Sequence, residues 1–127
     1  WGVNSRLDNL QAAVLNVRLS YLPQALMRRK AIADIYTVGF AGVVGLPANL
    51  PGRVWQDYVI QTEKRDELFG FLKAEGIETM KNDYPFPIQK GINSLQYEAE
   101  SLRIPCNENL LAEEIDYVIK KIKIFFK

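Results

Sequence analysis

Apolar residues recur at spacings of three and four from the start of the chain: Leu7, Leu10, Val14, Val17 and Tyr21, with Leu15, Leu19 and Leu22 widening the stripe. That period predicts a half-buried helix over about 5–21. Asn4 or Ser5 can cap its free amides, and Ser5 with Asp8 three places on is a weaker relative of the capping box. Pro23 is expected only at a helix start, so Leu26, Ala33, Tyr36 and Phe40 predict a second helix over about 23–40, after a bend. Two long helices with almost no loop between them predict a hairpin or a sharply bent pair, both stripes facing one core.

Between Gly42 and Arg53, three glycines and two prolines predict a surface connection. Residues 54–61, rich in aromatic and β-branched side chains, predict a strand. Lys64 to Glu75 reads as a helix with Leu68, Phe71 and Leu72 on one face, Asp66 and Glu67 in its first turn and Gly76 placed to end it. A short strand is expected over 77–81, then an extended Tyr84-Pro85-Phe86-Pro87, a short helix over 94–101 and a brief strand over 102–106 stopped at Pro105. Ile115, Val118, Ile119, Ile122 and Phe126 mark the buried stripe of a last helix, acidic at its start and lysine-rich at its end. The order predicts a single α+β domain over 1–127, with a small sheet of about three strands backed by helices and led by the long helical pair.

Composition narrows the chemistry. With 127 residues and 48% hydrophobic positions the chain can bury one core, and a mean hydropathy of -0.11 matches a water-soluble domain. Sixteen basic against fifteen acidic residues predict neither nucleic-acid binding nor capture by an anionic membrane. Histidine is absent, which removes Ser-His and Cys-His triads and the HExxH zinc site. Cys106 stands alone, so no intramolecular disulfide forms and a cytoplasmic setting is expected. The chain opens on Trp1 directly at a helix start, which reads as a segment of a longer protein.

Each candidate site has a structural alternative. Asn4-Ser5-Arg6 joins an amide and a guanidinium at a helix start, a place suited to phosphate and equally to an N-cap. Arg28-Arg29-Lys30 reads as a solvated helix face, while Trp55, Tyr58, Phe125 and Phe126 read as core aromatics. None of the nine lysines has the apolar setting of a Schiff-base former, and Glu113-Glu114 reads as a helix-start pair.

Gly2-Val3-Asn4-Ser5-Arg6-Leu7-Asp8-Asn9-Leu10-Gln11-Ala12-Ala13-Val14-Leu15 resembles the GxNxRLxxLQAAxL signature of the DegT family of pyridoxal-phosphate nucleotide-sugar aminotransferases. Trp55-Gln56-Asp57-Tyr58-Val59 is similar to that family's W-H-Q-Y strand. Arg65-Asp66-Glu67-Leu68 through Gly76-Ile77-Glu78-Thr79, Tyr84-Pro85-Phe86-Pro87, Leu102-Arg103-Ile104-Pro105 and Glu113 to Ile119 follow in the family's order. The resemblance covers essentially the whole chain and corresponds to the carboxy-terminal third of a family member.

The resemblance implies the small domain of a fold-type I aminotransferase, whose Schiff-base lysine and pyridine-facing aspartate lie on a large domain outside these residues. It implies pyridoxal phosphate as cofactor, a homodimer, an amino donor such as glutamate and a nucleotide-linked keto-sugar as acceptor. By the same resemblance Asn4 reaches the cofactor phosphate held by the neighbouring subunit, Arg6 stands beside it, and Tyr84 lies on the substrate side. The segment alone is expected to be inactive; a non-catalytic binding or dimerisation module derived from the same domain is the alternative. Departures fall at family histidines: Gln56, Asn82-Asp83 before Tyr84, and Gln89. Leu111 replaces the usual Ser or Thr at the last helix, leaving Asn109 to supply the cap.

Overall fold

A computed structural model describes residues 7–81 and 92–127. The chain runs α1 (Asn9–Phe40), β1 (Tyr58–Gln61), α2 (Arg65–Ala74), β2 (Met80–Lys81), α3 (Ile92–Glu100), β3 (Ser101–Ile104) and α4 (Ala112–Phe125). The α+β reading and its three strands therefore hold.

The leading pair does not. One continuous helix of 32 residues replaces it, with Pro23 inside. A mid-helix proline removes one amide and crowds the carbonyl four residues back. It does not change the phase of the residues around it. Leu15, Leu19, Leu22 and Leu26 stay within one arc when each residue advances by about 100°, and that unbroken phase was the signal for one helix. The stripe expected to be half-buried is also corrected: Leu10 is 75% exposed and Val17 62%, whereas Ile32, Tyr36 and Phe40 have no exposure. Asp8, not Asn4 or Ser5, is the N-cap. Its Oδ1 accepts from the Gln11 amide at 2.7 Å, and Gln11 Oε1 accepts from the Asp8 amide at 3.4 Å.

The sheet is antiparallel in the order β1-β3-β2, with Tyr58 opposite Ile104, Gln61 opposite Ser101, and Met80 opposite Arg103. The first strand starts four residues later than its composition suggests. Pro105 ends β3 just past the partner of Tyr58, so residues 54–57 have no ladder to join. Gly45 extends the outer edge through a bridge to Gln61, with both hydrogen bonds under 3.0 Å.

Tyr58, Ile60, Leu102 and Ile104 point from the sheet into a core closed by Ile32, Tyr36 and Phe40 of α1, Leu68 and Leu72 of α2 and Ile115, Val118 and Ile122 of α4. Tyr36 stacks on Phe40 at 5.3 Å and meets Tyr58 edge-on, while Trp55 stacks on Tyr58. Trp55 and Tyr58 are thus core residues, and Phe125 and Phe126 pack against that core at its rim. The end of α2 is fixed as its sequence predicts: Gly76 takes φ 74°, and the amides of Gly76 and Ile77 return to the carbonyls of Lys73 and Leu72. At α4, Asn109 does not cap. Glu114 Oε2 accepts from the Leu111 amide at 2.8 Å, and Asn107 Oδ1 instead turns the approach by accepting from the Asn109 amide.

Candidate functional site

Asn4 and Arg6 lie in residues 1–6 and Tyr84 in residues 82–91, outside the described residues. The structure shows the framework from which both segments spring. At the first, the helix begins at Asn9 behind the Asp8 carboxylate. A first-turn amide that a phosphate could have used is already taken, and the carboxylate charge opposes an anion at that helix end. The start of α1 is thus poorly suited to an anion.

The second segment leaves β2 at Lys81 and rejoins the described chain at α3. The near end is tied to α2, and so is the last turn of α3. Lys81 Nζ lies 3.3 Å from Asp66 Oδ1 and over the Phe69 ring, while Arg65 grips Asp66 at 2.8 Å and donates from Nη1 to the Glu98 carbonyl at 2.8 Å. Arg65 and Lys81 together hold the Asp66 carboxyl below the ordinary range, Arg65 contributing most. The sequence shows Arg65-Asp66 as a helix-start pair; their contacts with Lys81 at the end of β2 and with the Glu98 carbonyl in the last turn of α3 are not legible there.

Beside β2, a groove of about 430 Å³ is lined by Gln56, Asp57, Thr79, Met80, Arg103 and Cys106, among others. The alternation Leu102-Arg103-Ile104 turns Arg103 out of the core, where Nη1 sits 3.4 Å from Asp57 Oδ2 and 3.8 Å from Met80 Sδ. Thr79 Oγ1 is buried without a hydrogen-bond partner among the described residues. Gln56, one of the positions where the family motif carries histidine, thus borders the groove beside the strand that runs on toward Tyr84. Arg103 and Thr79 were missed as site candidates, although strand alternation alone separates Arg103 from its buried neighbours.

The remaining polar groups serve packing. Cys106 is buried with Sγ 3.8 Å from the Arg29 carbonyl, and burial pushes its thiol up to about 11 against the opposing Arg29 charge. A thiol held protonated at neutral pH is a poor nucleophile. Arg28 and Lys30 are exposed, as expected for a solvated face, and Arg29 is partly buried: Arg28 Nη2 donates to the Leu110 carbonyl at 2.9 Å, and Arg29 Nε meets Glu108 Oε2 at 2.7 Å. They tie α1 to the approach of α4. Lys121 Nζ meets Glu75 Oε2 at 2.6 Å, joined by the Tyr117 hydroxyl, which lowers the Glu75 carboxyl and raises Lys121. Every described lysine is at least partly exposed. Among the described residues no group of acids and Cys106 could hold a metal ion, and no helix is long and apolar enough to cross a membrane.

Comparison with known proteins gives this framework a lineage. The model of the DegT/DnrJ/EryC1/StrS aminotransferase family matches residues 1–123. A dTDP-3-amino-3,4,6-trideoxy-alpha-D-glucose transaminase of Streptomyces venezuelae is 46% identical over 91 residues, covering 68% of this chain and 24% of that protein. The crystal structure of S. venezuelae DesV in complex with a ketimine intermediate superposes with a TM-score of 0.88 at 33% identity, over 99% of this chain and 38% of that one. Bacillus subtilis NtdA with bound cofactor PMP gives 0.82 at 26% identity, over 98% and 34%. The chain thus spans about a quarter to two-fifths of the length of these relatives. With the motif order, the strand order and nearly every residue accounted for, the chain belongs to the DegT/DnrJ/EryC1/StrS aminotransferase family.

Proposed function

We propose that these residues form the smaller, carboxy-terminal part of a pyridoxal-phosphate aminotransferase that moves an amino group from an amino acid such as glutamate to a nucleotide-linked keto-sugar. The observation that carries this reading is the family match from the leading GxNxRLxxLQAAxL motif through α4, over residues 1–123. The transaminase of S. venezuelae named above supports the sugar acceptor, and the PMP-bound B. subtilis structure supports the cofactor.

The cofactor, when bound, supplies the electron sink for amino-group transfer. The described part of this chain fits a supporting place in that chemistry. Its described lysines are exposed or ion-paired, as Lys30 is to Asp34, Lys81 to Asp66 and Lys121 to Glu75, and by the family resemblance the amine for the cofactor would belong to a larger domain outside these residues. Asn4 and Arg6 would donate hydrogen bonds to the cofactor phosphate of a neighbouring subunit in a cytoplasmic homodimer. Tyr84 would face the sugar. The 127 residues alone would be inactive.

The test uses the complete polypeptide. Asn4→Ala should weaken pyridoxal-phosphate affinity by about 10- to 100-fold, the loss of one or two hydrogen bonds to a charged oxygen, with thermal stability of the apoprotein unchanged. Unaltered affinity removes Asn4 from the site. Failure of the complete polypeptide to bind the cofactor at all, or stoichiometric cofactor absorbance and transamination by residues 1–127 alone, overturns the reading.

A further inference from the structure

An open groove of about 400 Å³ lies between the end of α2 and the start of α4. Its floor is apolar: Ile77 and Val118 are buried there, and Pro105 and Leu110 are half-buried beside them. Its charges are all of one sign. Among the described residues Glu78, Glu113 and Glu114 line it, and no lysine or arginine does. Helix chemistry accounts for part of this, since Glu113 and Glu114 suit a first turn and Glu114 also accepts from the Leu111 amide. Glu78 has no such reason, because it stands between α2 and β2, past the Gly76 turn. Neither Glu78 nor Glu113 has a hydrogen-bonding or ionic partner for its side chain among the described residues. Lys121, the cation beside the Tyr117 ring, is already held by Glu75 at 2.6 Å. Tyr117 on the groove wall is 41% exposed, and Leu111, next to Leu110, is 61% exposed. The groove meets the one beside β2 at Glu78 and Pro105 and extends from there along the first turns of α4.

We propose that this groove docks a cationic segment of a partner polypeptide, an arginine or lysine with an apolar residue beside it. The stem of the basic side chain would lie on Ile77, Pro105, Leu110 and Val118, as such stems cover apolar surface while the head stays polar. Its head would stand between Glu78 and Glu113, and the apolar neighbour would cover Tyr117 and Leu111. Charge complementarity selects this occupant. Three carboxylates repel a nucleic acid, an anionic membrane and an acidic peptide. A purely apolar segment would take Glu78 and Glu113 out of water with nothing to pair them. A small-molecule site buries most of its ligand, whereas this groove is open to solvent and suits a side chain presented by a larger partner. A second copy of this chain would have to offer the lysine-rich end of α4, where Lys121 is committed to Glu75 and Phe125 and Phe126 are packed on their own core.

The experiment titrates the complete polypeptide by calorimetry with two synthetic peptides, acetyl-Gly-Leu-Arg-Leu-Gly-amide and its counterpart with glutamine in place of arginine. The arginine peptide should bind once per chain and at least about 10-fold more tightly than the glutamine peptide, the effect of a hydrogen bond between two charged groups. Glu78→Gln/Glu113→Gln should remove that preference, and raising the salt from about 0.05 to 0.5 M should shrink it. Glu63→Gln/Glu67→Gln removes the same charge from exposed positions outside the groove and should leave the preference intact. Both double variants should keep the parent's thermal midpoint within about 3 °C, as exposed substitutions do. Tyr117→Ala should weaken the two peptides by a similar factor. No binding of the arginine peptide below about 1 mM, equal affinity for both peptides, or a preference that survives Glu78→Gln/Glu113→Gln overturns the proposal. An equal loss in Glu63→Gln/Glu67→Gln overturns it too, since the groove would then add nothing to the general attraction of an acidic surface. So does an assembly at sedimentation equilibrium that Glu78→Gln/Glu113→Gln dissociates, which would make a second copy the occupant.

Discussion

The two halves of α1 have similar helix-forming sequences and opposite fates. Residues 28–40 place Ile32, Ala33, Tyr36 and Phe40 at 0–1% exposure against the sheet and α4, and carry charges that find partners at Glu108, Asp34 and the Leu110 carbonyl. Residues 9–24 are as apolar, carry one formal charge at neutral pH, and touch almost nothing. Hydrophobic periodicity reports that a helix has a face to bury; it does not report that the burying surface lies within the same stretch of chain. The second half packs into this domain, and the first half stays exposed among the described residues.

The contrast can be broken most forcefully in the buried half. Phe40→Ala should cost about 3–5 kcal/mol in urea unfolding of the 127-residue chain, the usual loss for a fully buried aromatic. Gly39→Ala should cost about 1–3 kcal/mol although alanine favours helix, because its Cβ would stand 2.8 Å from Ile119 Cδ1 on α4. Adding Ile119→Val should recover part of that loss; complete additivity would mean that the two helices do not meet there. Asp8→Ala removes the cap at the exposed end and should cost about 1 kcal/mol of local helix stability. It should appear as reduced far-UV ellipticity with the urea midpoint of the domain unmoved.

Smaller again is the alkaline effect of Cys106. Its folded value is about 11 because burial disfavours the thiolate, whereas an exposed thiol titrates near roughly 8.5. The folded state therefore holds the proton longer than the unfolded one. This contribution is complete below the unfolded value and is lost as pH rises through the window between the two. Stability should fall across that window, and Cys106→Ala should flatten the slope. Smallest of all, Val17→Ala should change the stability of the 127-residue chain by less than about 0.5 kcal/mol, as exposed positions do. A loss of 2 kcal/mol would show that α1 is already covered.

Much of the fold could be read from residues alone where local chemistry decides it. Gly76 ends α2 through its positive φ, Pro105 stops β3, and the Ile115-Val118-Ile122 stripe buries as its spacing requires. The errors share a physical origin. Pro23 is a local breaker by its chemistry, yet the helix on either side keeps one phase and tolerates one missing hydrogen bond. The N-cap was placed at the first polar cluster, while Asp8 with Gln11 forms the reciprocal pair three residues later. Residues 54–57 have strand composition but no strand beside them. Of the candidate site, Asn4, Arg6 and Tyr84 are named by family resemblance and lie outside the described residues. The groove at Arg103, Thr79 and Gln56 is not legible in the sequence, because it joins three separated stretches of chain that only the sheet order brings together.

Residue-resolved amide hydrogen exchange along α1 tests the central contrast most directly. In the 127-residue chain, amides after about Arg28 should exchange through global unfolding of the domain, while those of residues 9–24 should exchange orders of magnitude faster through fraying of an unsupported helix. In the complete polypeptide both halves should be protected alike. Uniform strong protection along the whole helix in the isolated, monomeric chain, or a first half that remains fast in the complete polypeptide, would contradict the account.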